Sequence, residues 1–151
     1  MSRDTTSDDA DRPTTTLAFV CVQNAGRSQM ATAFAERERA RRGRGDVAIL
    51  TGGTDPADHV HSEVVDAMAD LGVDVSDRTP REVTFEELRD ADYVVTMGCA
   101  AEDVCPAGWA GENRDWALDD PDGRPQSEVA AIRDDIEARV AALFDELDRG
   151  D

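Results

Sequence analysis

The stretch Cys21-Val22-Gln23-Asn24-Ala25-Gly26-Arg27-Ser28 gathers a thiol, an arginine and a hydroxyl into one short segment. Those residue types in that order suit nucleophilic attack on a bound anion. A loop of this length curls its backbone N–H groups inward, and a helix starting at its end adds about half a positive charge. Gly26 is expected to permit the curl. Arg27 offers a planar fork of donors for two oxygens of a phosphate-like group. Cys21 would sit beneath the anion, where the same positive field favours a thiolate nucleophile. Ser28 would donate its hydroxyl to that sulfur and Asn24 would brace the loop. Gln23, Asn24, Ala25, Gly26, Arg27 and Ser28 are thus the expected oxyanion-binding residues, with Cys21 and Arg27 in the chemistry.

Attack on an oxyanion also needs a proton for the departing oxygen. Asp115-Trp116-Ala117-Leu118-Asp119-Asp120-Pro121 supplies carboxyl groups. Asp120 is the preferred donor, because the following proline biases it to an extended backbone and fixes how its side chain projects. Asp119 is nearly as well placed and stays open. His59 and His61, beside Asp58 and Glu63, lack nearby thiols and make a poor metal site, so neither metal nor cofactor is expected. Trp109 and Trp116 read as loop anchors.

These groups need a scaffold. Leu17 to Val22 is a short apolar run, as in a strand buried on both faces of a parallel sheet. From Ser28 the pattern becomes helical, with Met30, Ala31, Phe34 and Ala35 on one side, ending at Gly43 and Gly45. Val47 to Leu50 reads as a second strand followed by a Gly-Gly turn. Ser62 is a plausible N-cap for a helix whose Val64, Val65, Met68 and Leu71 share a face, closed by Gly72. Thr84 and Glu87 fit a capping box. Tyr93 to Met97 is a third strand, and Trp116-Ala117-Leu118 is expected as a short edge strand. Val129, Ile132, Ile136, Val140, Leu143 and Leu147 recur at helical spacing. Alternating strands and helices predict a single open α/β domain with a four-stranded parallel sheet over residues 15–151, preceded by a disordered acidic tail at 1–14.

Composition narrows the function. The chain has 151 residues, the size of one domain. Against 34 acidic residues stand 16 basic ones, and every one of the latter is arginine. Without lysine there is no Walker-type phosphate loop and no Schiff-base chemistry. A formal charge of −18 disfavours nucleic-acid partners and suits a salt-rich source, where repulsion is screened. No apolar run is long enough to span a bilayer, and no export signal is evident, so a cytoplasmic location with reduced thiols is expected.

The segment FVCVQNAGRSQMA, Phe19 to Ala31, resembles the phosphate-loop signature of the low-molecular-weight tyrosine phosphatase superfamily, and more closely its arsenate reductase branch. The likeness extends through TGGTDPADHVH, ADYVVTMGC and DWALDDPDG, covering most of residues 16–147. Phosphatases of this group usually carry tyrosines just after the Asp-Pro of the acid loop. This chain has Asp122-Gly123 there, and its single tyrosine is Tyr93. A phosphatase acting on aryl phosphates through a cysteinyl-phosphate is therefore the alternative reading. The resemblance to the reductases implies a cascade. Cys21 attacks arsenate, Cys99 attacks Cys21 to release arsenite, and Cys105 carries the disulfide outward to a reductant. Five residues separate Cys99 from Cys105, where the best-known thioredoxin-coupled members have six. Either thioredoxin or a low-molecular-weight thiol thus remains open as electron donor.

Overall fold

The computed structural model describes residues 15–97, 111–119, 121 and 123–149. Its strands are β1 (Thr15–Cys21), β2 (Val47–Gly53), β3 (Tyr93–Met97) and β4 (Glu112–Asp115), and its helices are α1 (Arg27–Arg42), α2 (Ser62–Ala69), α3 (Phe85–Arg89) and α4 (Gln126–Asp148). The strands form one sheet in the order β2-β1-β3-β4, and all three pairings are parallel. The open parallel α/β domain read from the sequence is the fold observed.

Side chains alternate across a strand, so β1 divides the core in two. Leu17, Phe19 and Cys21 join the larger cluster with Phe34, Ile136, Val140 and Phe144 from α1 and α4. Ala18 and Val20 face a smaller one with Leu88 and Val94. Residues 17–20 are fully buried, as their unbroken apolar run requires. The long helices are also tied by charge. Arg42 reaches Asp145 at 2.9 Å and Asp148 at 2.7 Å, and Arg37 pairs with Glu137.

Four local expectations are corrected. The edge strand lies at Glu112–Asp115, just before Trp116-Ala117-Leu118. It is polar because it borders the sheet, and its own side chains support the ladder: Asn113 donates to the Val94 carbonyl at 3.0 Å. Trp116 instead folds over the sheet, 8% exposed, with its ring centroid 6.0 Å from that of Phe19. Gly52 and Gly53 form no turn; they complete β2, opposite Val20 and Cys21. A Cβ on Gly53 would lie 2.4 Å from the Val22 carbonyl oxygen, so only glycine fits there. His61, not Ser62, is the N-cap of α2, and Leu71 lies exposed past the helix end at Ala69, while Gly72 closes the helix as expected, left-handed with φ 77° and followed by a Val73 N–H bond to the Met68 carbonyl at 3.0 Å. The capping box of Thr84 and Glu87 is present in full.

Candidate active site

β1 delivers Cys21 to the carboxyl edge of the sheet, between Gly53 of β2 and Met97 of β3. This is where open α/β folds bind ligands. After five intervening residues the backbone enters α1 at Arg27, and its first intrahelical bond runs from Met30 N–H to the Gly26 carbonyl at 3.1 Å.

The intervening loop is shaped from outside. The carbonyls of Cys21, Val22, Gln23 and Ala25 accept N–H bonds from Thr54, Asp55, Ala57 and His61 at 2.8–3.2 Å. Gln29 Nε2 takes the Asn24 carbonyl at 3.0 Å. In a trans peptide the carbonyl and the following N–H point opposite ways. Turning the carbonyls outward therefore turns the succeeding amides toward the loop's centre, which is the arrangement that holds an anion.

Cys21 is 3% exposed at the base of the loop. Its Sγ accepts from the Asn24 backbone N–H at 3.2 Å and lies 2.8 Å from Ser28 Oγ. Asn24 Nδ2 donates to that same Ser28 oxygen at 2.8 Å and leaves the serine proton available to the sulfur. Polar contacts thus converge on the Cys21 sulfur from two sides.

Asn24 is the hub. Its φ of 52° makes it the one non-glycine residue in the left-handed region among the described residues. Its amide also donates to Thr51 Oγ1 at 2.9 Å, while its Oδ1 accepts from the Arg81 N–H at 3.0 Å and Gln29 Nε2 at 3.2 Å. Gly26, the N-cap of α1, has φ −136° and ψ −95°, neither helical nor extended, so the left-handed turn of the loop belongs to Asn24 alone. It is small for another reason: a Cβ there would come within 3.1 Å of Pro121 Cγ and 3.6 Å of His61 Cδ2.

Pro121 therefore seats the acid-bearing loop on the anion loop. Arg27, half-buried, adds a second tie by donating Nη1 to the Leu118 carbonyl at 3.0 Å. Glu63 adds a third: its carboxylate accepts from Gly123 N–H at 3.4 Å and its carbonyl from Gln126 Nε2 at 3.1 Å. Bonds from its own backbone N–H and that of Gly123, with His61 nearby, hold the Glu63 carboxyl below the ordinary range against the opposing effect of burial. Asp119 is exposed on the same loop. Asp120, Cys99, Cys105 and Trp109 lie outside the described residues.

The structure brings Cys21, Asn24, Ser28 and the loop backbone together as expected. It also recruits residues the sequence reading passed over: Gln29, Thr51, Arg81 and the 54–61 collar. Gln29 is local to the loop, only five positions from Asn24, whereas Thr51, Arg81 and the collar reach it from strands and turns far apart in sequence. His61, weighed only as a metal ligand, pairs its Nε2 with Gln23 Oε1 at 3.0 Å. Among the described residues no group of three or more His, Cys, Asp and Glu is placed to hold a metal, and no helix is long and apolar enough to cross a membrane.

The chain is similar to known proteins in sequence and fold. The family described as low molecular weight phosphotyrosine protein phosphatase matches residues 16–151. A Halobacterium salinarum protein, named provisionally as an arsenate reductase, is 60% identical over 144 residues, covering 91% of this chain and 96% of that one. Among solved structures, a thioredoxin-dependent arsenate reductase of Corynebacterium glutamicum superposes with a TM-score of 0.76 at 32% identity. The match covers 92% of this chain and 64% of that one. An arsenate reductase in its phosphate-binding state gives a TM-score of 0.73 at 28% identity, covering 87% of this chain and 98% of the other.

Proposed function

The chain belongs to the low molecular weight phosphotyrosine protein phosphatase family, and from that premise we propose that it is an arsenate reductase with Cys21 as nucleophile. The observation that carries the chemistry is the convergence of Ser28 Oγ, at 2.8 Å, and the Asn24 N–H, at 3.2 Å, on one sulfur at a helix N-terminus. The names of the relatives favour arsenate as the oxyanion.

In this reading the inward amides of residues 22–27 and the Arg27 guanidinium bind arsenate. The Cys21 thiolate attacks arsenic, and Asp120 protonates the departing oxygen, which leaves as water; Asp119 is the neighbouring candidate. The Cys99 thiolate then attacks the Cys21 sulfur. The sulfur–arsenic electron pair goes to arsenic, so arsenate is reduced to arsenite by two electrons while two thiols become a Cys21–Cys99 disulfide. Cys105 attacks Cys99, freeing Cys21 and moving the disulfide to Cys99–Cys105. Thioredoxin or a low-molecular-weight thiol reduces it.

A cysteine series tests this in concentrated salt, following arsenate-dependent NADPH oxidation through thioredoxin and its reductase, and separately with a small thiol as reductant. Cys21→Ser should abolish turnover with either reductant, and Cys99→Ser and Cys105→Ser should abolish the thioredoxin-coupled reaction. Efficient aryl-phosphate hydrolysis unaffected by Cys99→Ser, without arsenate turnover, would reverse the assignment in favour of a phosphatase.

A further inference from the structure

Arg81 lies well outside the Cys21 loop in sequence, yet its groups converge on the residues that shape it. Its N–H donates to Asn24 Oδ1 at 3.0 Å. Its Nη1 donates to the Thr51 carbonyl at 2.7 Å, and the Thr51 hydroxyl is itself the acceptor for Asn24 Nδ2 at 2.9 Å. Its Nη2 pairs with Glu87, the residue that completes the capping box of α3. Its carbonyl accepts from Gly53 N–H at 2.9 Å, and Val83 N–H returns a bond to the Gly53 carbonyl at 3.1 Å. The 81–83 segment thus runs beside the end of β2 as a short parallel extension, with Gly53 bridged to Glu82.

We propose that Arg81 is a positioning residue for the chemistry of Cys21, acting through Asn24. Its guanidinium fixes the 81–83 segment against β2 and α3. That placement aims the Arg81 amide at Asn24 Oδ1, which keeps the Asn24 side chain oriented so that Nδ2 meets Ser28 Oγ. The serine proton is then presented to the sulfur. Arg81 touches neither sulfur nor substrate. Without the Arg81 amide, Asn24 Oδ1 keeps only the longer bond from Gln29 Nε2 at 3.2 Å, and a side chain held less firmly reaches rotamers that give up the Ser28 contact.

The proposal rests on Cys21 being the nucleophile, but not on arsenate being its substrate. The primary readout is therefore alkylation of Cys21 by iodoacetamide at neutral pH, quantified on the Cys21 peptide by mass spectrometry, with arsenate turnover measured alongside. Arg81→Met should slow alkylation and kcat about threefold to tenfold, the effect of one misdirected hydrogen bond, with KM for arsenate little changed. Arg81→Lys, which keeps a donor for Thr51, should recover part of the rate. In an Asn24→Ala background Arg81→Met should change alkylation no further, since its path runs through the missing amide. Glu87→Gln should give a smaller slowing and guards against a misfolded Met variant. Wild-type alkylation rates in Arg81→Met, or a slowing that simply adds to that of Asn24→Ala, would overturn the proposal. An enzyme that fails to turn over arsenate but shows this alkylation pattern would count against the reductase reading alone.

Discussion

Ser28 Oγ stands 2.8 Å from Cys21 Sγ while accepting the Asn24 amide at the same distance. The asparagine occupies one of the two acceptor sites of the serine oxygen, and opposite a Cys21 thiolate the single serine proton is the group left to face the sulfur. Ser28→Ala should slow Cys21 alkylation and the first step of turnover by about tenfold, as for one hydrogen bond to a charged group, and leave anion affinity nearly unchanged. Pre-steady-state kinetics with arsenate would separate these effects. An unaltered first step in Ser28→Ala would remove the serine from the mechanism.

Asn24 combines a backbone role with a side-chain role, and two substitutions divide them. Asn24→Gly keeps the φ of 52° without strain but loses the amide. Asn24→Ala loses the amide and also places an alanine in the left-handed region, a further cost of about 1 kcal/mol. Both should slow Cys21 alkylation to a similar degree, whereas urea unfolding should find the alanine variant less stable. Equal stabilities would show that the loop relaxes out of its left-handed turn.

Two glycines give a contrast in severity. At Gly26 an added methyl meets the edge of the Pro121 ring at 3.1 Å, which the loop accommodates by a small shift. At Gly53 it meets the Val22 backbone at 2.4 Å, and the strand has no room to move. Gly26→Ala should fold with near-normal stability and lose activity as the acid-bearing loop lifts. Gly53→Ala should be destabilised by about 3 kcal/mol or more, the scale of severe overpacking. Thermal unfolding of the two proteins checks the order, and a more damaging Gly26→Ala would contradict it.

Acid and salt act on the helix clamps. Arg114 holds the Glu146 carboxyl below its ordinary range despite some burial, and Arg42 followed by Arg44 does the same for Asp148. A carboxyl depressed in the folded state contributes stability above its unfolded pKa and loses it as pH falls through the folded value. In about 2 M KCl, where the repulsion of a −18 chain is screened, the urea midpoint should hold from pH 7 to about 5 and fall below about 4. Arg114→Met should make that fall shallower. At low salt the wild-type midpoint should be lower at neutral pH, and the acid loss should be masked because protonation then relieves repulsion. A midpoint that declines as salt rises from 0.1 to 2 M at pH 7 would contradict the screening argument.

What was legible in the sequence follows from how local each feature is. The buried run at Leu17–Val20, the capping box at Thr84 and the periodic stripe of α4 are written in adjacent residues, and each appears where its pattern placed it. β4 was displaced because Glu112-Asn113-Arg114-Asp115 owes its conformation to the edge of β3 and carries no apolar signature. The Gly52-Gly53 pair looked like a turn, since the crowding by Val83 and Val22 that demands glycine there is visible only in three dimensions. The left-handed turn at Asn24 is likewise held by contacts from Thr51, Arg81 and Gln29 that the sequence does not display. The Cys21, Asn24 and Ser28 constellation was readable because one short loop contains it, whereas Thr51, Arg81 and His61 come to it through the sheet.

A reactive Cys21 sulfur seated beneath a bound oxyanion would be shielded by that anion. Protection of Cys21 from iodoacetamide by arsenate or phosphate, read on its peptide by mass spectrometry in high salt, tests it most directly. Alkylation at neutral pH should be rapid and slow saturably as either anion is added, with protection weakened in Arg27→Met. Alkylation that is slow throughout and indifferent to both anions would contradict it.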